Sequence, residues 1–211
     1  AFDGDADRCL AVDEKGQLVD GDFVMAICAA DLKSRGKLAY NAVVGTVMSN
    51  MGFIRFCEEN GMRFEAAKVG DRYVLETMRQ NDYNFGGEQS GHVIFLDFGT
   101  TGDGQLTGAH LLSLVHRREA KLSSLATLMT RFPQVLVNVE VSNEGKLRFY
   151  TDRKIKEATQ RVQNQLGRKG RILVRPSGTE PLLRVMVEGE SEAEIQELAN
   201  YVADVIREQL V

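Results

Sequence analysis

Between residues 38 and 80 the spacing of apolar residues alternates between strand-like and helical, and this limits the chain to one broad class of fold. Residues 38–44 are a short apolar run expected as a strand, 47–60 have helical spacing closed by Gly61, 63–67 return to strand, and 71–80 return to helix. Strands separated by helices pair in parallel and need helices over their faces, so an α/β layer is predicted. A helix starting near Asp22, capped by Asp20 or Asp22 and stopped at Gly36, precedes this alternation. Strands at 84–85 and 93–98, then helices at 105–118 and 123–131, complete the unit. Phe132-Pro133 marks a break, because proline disfavours helix in the residue before it. Beyond it the pattern reads strand 135–141, helix 152–166, strand 172–175, loop 176–181, strand 182–187 and helix 192–210, a two-layer α+β unit. The first twenty residues read as a hairpin turning at Lys15-Gly16, too small to fold alone.

The fold class expected is therefore a mixed-sheet α/β domain followed by a smaller two-layer α+β domain. With 43% hydrophobic and 27% charged residues the chain is globular rather than disordered. Its net charge of −4 argues against nucleic acid or an anionic membrane as a bulk electrostatic partner. Cys9, Cys28 and Cys57 each sit among apolar neighbours without CxxC spacing, which points to reduced thiols and a cytoplasmic setting. No apolar run is long enough to span a membrane.

Asp3, Asp5 and Asp7 occupy alternate positions and are followed at once by Arg8. Three carboxylates so close repel one another unless a cation sits among them, and oxygen ligands suit Mg²⁺ or Ca²⁺. Gly4 would permit the turn that aims them inward. Arg8 cannot ligate a metal but is shaped to hold a phosphate beside one. A solvated acidic turn is the bland alternative. An EF-hand would use Glu14 as well, but its glycine position is Arg8. A dehalogenase-type phosphatase would need a threonine where Ala6 stands.

Two further loops carry chemistry. Gly87-Glu88-Gln89-Ser90-Gly91-His92 offers an acceptor, a hydroxyl and an imidazole, as a sugar would require, though an ordinary polar loop has the same composition. Arg175-Pro176-Ser177-Gly178-Thr179-Glu180-Pro181 combines a guanidinium, two hydroxyls and a glycine amide between two prolines, which suits a phosphate monoester or a rigid hairpin connection. Lys68-Val69-Gly70-Asp71-Arg72 opens a helix, and Thr100-Thr101-Gly102-Asp103-Gly104 reads as a turn and cap. His110 and His116 are read as structural or surface residues.

Phe2-Asp3-Gly4-Asp5-Ala6-Asp7-Arg8 resembles the metal-binding loop of the α-D-phosphohexomutases. The resemblance implies that Asp3, Asp5 and Asp7 hold Mg²⁺ against a phosphorylated serine, with Arg8 assisting the moving phosphoryl group. The loop at 87–92 is similar to the family's sugar-recognition loop, which places Glu88 and Ser90 on sugar hydroxyls and His92 where a candidate general acid or base stands. The loop at 175–181 is similar to the family's phosphate-binding loop, so Arg175, Ser177, Gly178 and Thr179 carry over, with Arg184 as a further candidate.

The resemblance spans essentially the whole chain. It implies the end of domain two at 1–20, domain three at 21–133 and domain four at 134–211, with the remaining domains of the same enzyme as partners. The oligomeric state, a homodimer among the options, stays open. The threonine-alanine-serine-histidine-asparagine setting of the phosphoserine has no counterpart here, so a fragment inactive by itself is expected. Gln89 and the run Val69-Gly70-Asp71-Arg72-Tyr73-Val74 look most like the bacterial branch acting on glucosamine phosphates. Mutases of mannose or glucose phosphates, and a non-catalytic phosphosugar-binding fragment, are the alternatives.

Overall fold

A computed structural model describes residues 1–211, which form two compact units, Ala1–Arg131 and Phe132–Val211. The first opens with a two-stranded antiparallel hairpin, β1 (Ala11–Val12) and β2 (Leu18–Val19), followed by α1 (Gly21–Ser34). Asp20 caps α1 by accepting from the Phe23 N–H. Next come β3 (Ala42–Thr46), α2 (Met51–Glu59), β4 (Arg63–Ala67) and α3 (Asp71–Gln80). The remainder is β5 (Phe85–Gly87), β6 (Val93–Phe95), α4 (Gly104–Arg118) and the single turn α5 (Leu122–Leu125). The strand order is β4-β3-β5-β6, with β3 parallel to both neighbours and β6 an antiparallel edge.

Side-chain alternation sorts two cores onto the two faces of this sheet. Val43, Phe85, Val93 and Phe95 pack with apolar residues of α1, α2 and α4, whereas Ala42, Val44 and Ile94 pack with Val74 and Met78 of α3. The result is three layers. The order of the strands also defines a switch point, since chain progression from β3 goes first to β4 on one side and then to β5 on the other. In such sheets ligands gather at the carboxyl ends of the strands beside that point, and the loop after β5 is the sugar-loop candidate.

The second unit contains β7 (Gln134–Glu140), α6 (Asn143–Phe149), α7 (Arg153–Leu166), β8 (Arg171–Pro176), β9 (Leu182–Glu188) and α8 (Glu192–Leu210). Its sheet is antiparallel, order β7-β9-β8. Val135, Val139, Leu183, Val185 and Val187 form one core with Ile155 and Val162 of α7 and Ile195, Val202 and Ile206 of α8. No helix of the chain is long and apolar enough to cross a membrane.

Several elements differ from expectation, each for a local reason. The strand expected at 38–44 begins only at Ala42, because Tyr40 and Asn41 are left-handed (φ 55° and 50°) and close a 3-10 turn. The helix expected from residue 47 begins at Met51, where the Asn50 side chain accepts from the Gly52 N–H. The helix expected at 123–131 is α5 followed by a 3-10 turn at Ala126–Leu128. The strand expected at 93–98 ends at Phe95, and Phe98 and Gly99 turn back to donate to the Phe95 carbonyl. The short helix α6, capped by Ser142, was not expected at all.

Candidate functional site

The acidic loop is a tight turn in which the ligand atoms of Asp3, Asp5 and Asp7 all lie within 4.8 Å of one another. Asp3 and Asp5 are exposed and Asp7 is half-buried. The left-handed residue of the turn is Ala6 (φ 59°), not Gly4, whose α-carbon faces open space. An alanine in that region is strained by about 1 kcal/mol and persists where surroundings hold it. Here they do: the Gly104 N–H donates to the Ala6 carbonyl at 2.9 Å, and the Ala6 N–H donates to the Asp3 carbonyl. Arg8 stands over the loop, its Nε 3.7 Å from Asp3 Oδ2 and 4.0 Å from Asp7 Oδ1. Desolvation raises the Asp7 carboxyl above its ordinary pKa, the charges of Asp3 and Asp5 add to this, and His92 opposes it. This is the strain expected of oxygen donors gathered for a hard divalent cation, so the donor set fits Mg²⁺. Glu14 is absent from the cluster: its carboxylate accepts from the Ser123 N–H and hydroxyl, which removes the EF-hand reading.

The sugar-loop candidate is locked to this loop through backbone. The Cys9 N–H donates to the Gly91 carbonyl at 3.0 Å, and Arg8 and His92 form an antiparallel bridge. Gly91 (φ 95°) leaves only 2.6 Å between a β-carbon and the Cys9 carbonyl oxygen. From the other side, the Gly21 N–H donates to the Gln89 carbonyl. Within the loop the Gly91 N–H closes onto the Glu88 carbonyl, and Ser90 is left exposed at the tip. The Glu88 side chain accepts from the Gly70 N–H at 3.0 Å, Gly70 standing at the start of α3 with φ 126°. One carboxylate oxygen is thereby fixed while the other stays available to a hydroxyl.

His92 is only 2% exposed. Its Nε2 lies 3.6 Å from Asp7 Oδ2, and neither ring nitrogen has a hydrogen-bond partner. His110 lies elsewhere, stacked on Phe95 with centroids 4.3 Å apart, and burial lowers its pKa. The unit therefore brings together Asp3, Asp5, Asp7, Arg8, His92 and the Glu88–Ser90 turn. Sequence reading missed the glycines that receive them, Gly70, Gly102 and Gly104.

In the second unit Arg175 and Pro176, the latter expected in the loop, end β8, and the loop from Ser177 to Pro181 joins it to β9. Ser177 is buried, its N–H donating to the Leu182 carbonyl and its hydroxyl accepting from the Glu180 N–H. Gly178 and Thr179 are exposed, and a β-carbon on Gly178 would meet nothing. Arg175 and Arg184 are directly opposed in the β8/β9 register. Arg184 pairs with Glu180, whereas Arg175 makes no ion pair. Desolvation and the Arg184 charge lower the Arg175 pKa. Two like charges side by side are costly in a sheet and favour an anion. Lys146 of α6, unrecognised in the sequence, holds the loop by donating to the Ser177 and Glu180 carbonyls.

The sequence matches two family patterns: "phosphoglucomutase/phosphomannomutase, alpha/beta/alpha domain III" over residues 20–132, and the C-terminal domain of the same family over 136–205. Among curated relatives, the phosphoglucosamine mutase of Caldanaerobacter subterraneus subsp. tengcongensis is 55% identical over 210 residues, 100% of this chain and 47% of the relative. That of Brevibacillus brevis is 51% identical over 211 residues, again 100% and 47%. The chain thus spans about half the length of the curated relatives it matches. Of solved structures, an N-acetylglucosamine-phosphate mutase in its product complex superposes with a TM-score of 0.79 at 23% identity, over 97% of this chain and 48% of its own. The Aspergillus fumigatus N-acetylphosphoglucosamine mutase in complex with GlcNAc-6P and magnesium gives 0.80 at 20% identity, over 100% and 48%. On these grounds the chain belongs to the phosphoglucomutase/phosphomannomutase family.

Proposed function

We propose that these residues serve a phosphoglucosamine mutase, which interconverts glucosamine 6-phosphate and glucosamine 1-phosphate and so feeds UDP-N-acetylglucosamine and cell-wall synthesis. The observation that carries this reading is the backbone lock between the acidic loop and the Glu88–Ser90 turn, which keeps a cation site and a hydroxyl-binding turn in one register. The names of the curated relatives support the amino sugar as substrate.

Asp3, Asp5 and Asp7 hold Mg²⁺, which supplies charge neutralisation for a phosphoryl group. Arg8 contributes a fixed positive charge beside it. Glu88 and Ser90 bind sugar hydroxyls, Glu88 being oriented by the Gly70 N–H. Arg175, Ser177, Gly178 and Thr179, with Arg184, take the phosphate ester that is not being transferred. Residues 1–20, 21–133 and 134–211 correspond to the end of domain two, domain three and domain four of the enzyme. A serine outside these motifs is the covalent phosphate carrier.

The test is conversion of glucosamine 6-phosphate by the full-length protein with Mg²⁺ and a trace of the 1,6-bisphosphate. A higher kcat/KM for glucose or mannose 6-phosphate than for the amino sugar would reassign it within the family, and no turnover of any of the three would refute it.

A further inference from the structure

The short helix α6 has no apolar face to place it, since Gly145 is its one buried residue. Polar contacts and close packing hold it instead. Ser142 caps it by accepting from the Gly145 N–H, and a β-carbon at Gly145 would stand only 3.3 Å from the Leu210 carbonyl oxygen. Arg148 donates to the Gln209 carbonyl at 2.9 Å. The last carbonyls of a helix such as α8 lack partners within it, so a guanidinium there is favourable. Docked on the end of α8, α6 is a base from which Lys146 reaches the loop between β8 and β9.

The Lys146 ammonium donates to the Ser177 carbonyl at 2.9 Å and to the Glu180 carbonyl. Its partners are backbone oxygens rather than a carboxylate, so what it fixes is the course of the chain. The Val141 N–H pins the far end of the loop by donating to the Pro181 carbonyl at 2.9 Å. The Ser177–Gly178 peptide is trans, and a planar trans peptide points its C=O and N–H to opposite sides. With the Ser177 carbonyl on the lysine, the Gly178 N–H is therefore turned away from it. Gly178 and Thr179 are exposed, and their N–H groups take no partner within the chain. Neither crowding nor a left-handed backbone calls for glycine at 178, because a β-carbon would meet nothing there and its φ is not positive. What glycine brings is backbone freedom, and Lys146 removes that freedom at the peptide before it.

We propose that Lys146 is a positioning residue for the phosphate-binding loop: by holding the Ser177 and Glu180 carbonyls it turns the Gly178 N–H outward to a phosphate ester, without touching the ligand itself. Donors fixed before the ligand arrives spare the cost of ordering them on binding. The inference rests on the reading of this loop as the site of the phosphate that is not transferred.

The test uses the full-length protein. Calorimetry gives its affinity for glucosamine 6-phosphate, and mass spectrometry reads amide hydrogen exchange of the segment 176–182 without ligand. In that segment the N–H groups of Ser177, Glu180 and Leu182 are bonded within the loop, so their exchange reports its order. Lys146→Met keeps the stem and removes the ammonium. It should lose protection in this segment and weaken binding about three- to tenfold, as for loss of one ordinary hydrogen bond. Lys146→Arg, which can donate to both carbonyls, should restore both readouts. Weaker binding with unchanged exchange would mean that the ammonium contacts the phosphate directly, and overturns the proposal. Unchanged binding overturns it whatever the exchange. So does exchange that rises throughout β7, β8 and β9 with a lower melting temperature, since the lysine would then support the whole unit rather than the loop. Arg175→Gln separates these outcomes from a failure of the site itself. If that variant binds as tightly as wild type, the loop does not hold the phosphate and both readings fall; if it loses affinity while Lys146→Met does not, only the role given to Lys146 falls.

Discussion

Asp31 shows how one buried carboxylate is kept charged. It is 7% exposed at its side chain, and burial alone would push its carboxyl up. Hydrogen bonds from Arg117 and Arg35 outweigh that, with Nη atoms 3.0 Å from Oδ2, and Arg118 adds a third guanidinium at 3.6 Å, so the pKa falls below its ordinary value. A folded pKa below the unfolded one gives stability that is fully present above the unfolded value and lost as pH falls through the folded one. Asp31→Asn should therefore cost about 1.5–3 kcal/mol at neutral pH, and the gap from wild type should close as pH drops below about 4. Replacing any one arginine should cost under about 1 kcal/mol, because each is 40–50% exposed and two others remain. Urea melts at several pH values check this; a gap independent of pH would mean that Asp31 contributes through packing rather than charge.

The strand pair β8/β9 carries two like charges in register, which is the cost expected of a sheet pair proposed to bind an anion. Arg175 and Arg184 oppose each other in register, and only Arg184 has a carboxylate partner. Arg175→Gln should make the unit more stable by about 0.2–1 kcal/mol, the usual penalty of opposed like charges. In the full-length enzyme the same change should lower kcat/KM for the phosphosugar about ten- to hundredfold, as for loss of one charged hydrogen bond. Melting temperature and kinetics moving in opposite directions support the assignment; unchanged kinetics would remove Arg175 from substrate binding. The loop itself was legible as a sequence, because donors bracketed by prolines form a local pattern. Helices with strong apolar faces were legible too, as with α3, α7 and α8, the last two also capped by Asp152 and Ser191. The helix α6 was not, since it carries glycine in its first turn and buries only that Gly145, leaving no periodicity to read. Nor could the start of β3 be placed, because the left-handed pair Tyr40 and Asn41 lies inside a stretch that is apolar apart from Asn41. Close approach is likewise invisible in one dimension: Gly102 and Gly104 looked like ordinary turn residues, and only tertiary structure brings an imidazole and two carbonyls against them.

Each of the two units closes a core of its own, one divided between the faces of a mixed sheet, the other between an antiparallel sheet and two helices. Local propensity, capping and core pattern agree within each, which is the condition for a sequence to specify its fold. The 211-residue chain should therefore fold cooperatively, with protected amides in β3 and β9. Chemistry is another matter. Phosphoryl transfer between two positions of a sugar needs a group that carries the phosphate while the sugar reorients, and positioned binding residues transfer nothing by themselves. The serines in the loops already have other roles. Ser49 is buried, and its hydroxyl oxygen accepts from the Thr46 N–H within its own turn. Ser177 is buried with its hydroxyl on the Glu180 N–H, and Ser90 stands at the tip of a loop assigned to sugar hydroxyls. The chain alone should thus show no conversion of glucosamine 6-phosphate when supplied with Mg²⁺ and a trace of the 1,6-bisphosphate, under conditions where the full-length protein turns over. Circular dichroism and a thermal melt on the same sample separate inactivity from misfolding. Turnover by the folded chain at a rate near that of the full-length protein would place the phosphate carrier among these residues and overturn the division of labour proposed for it.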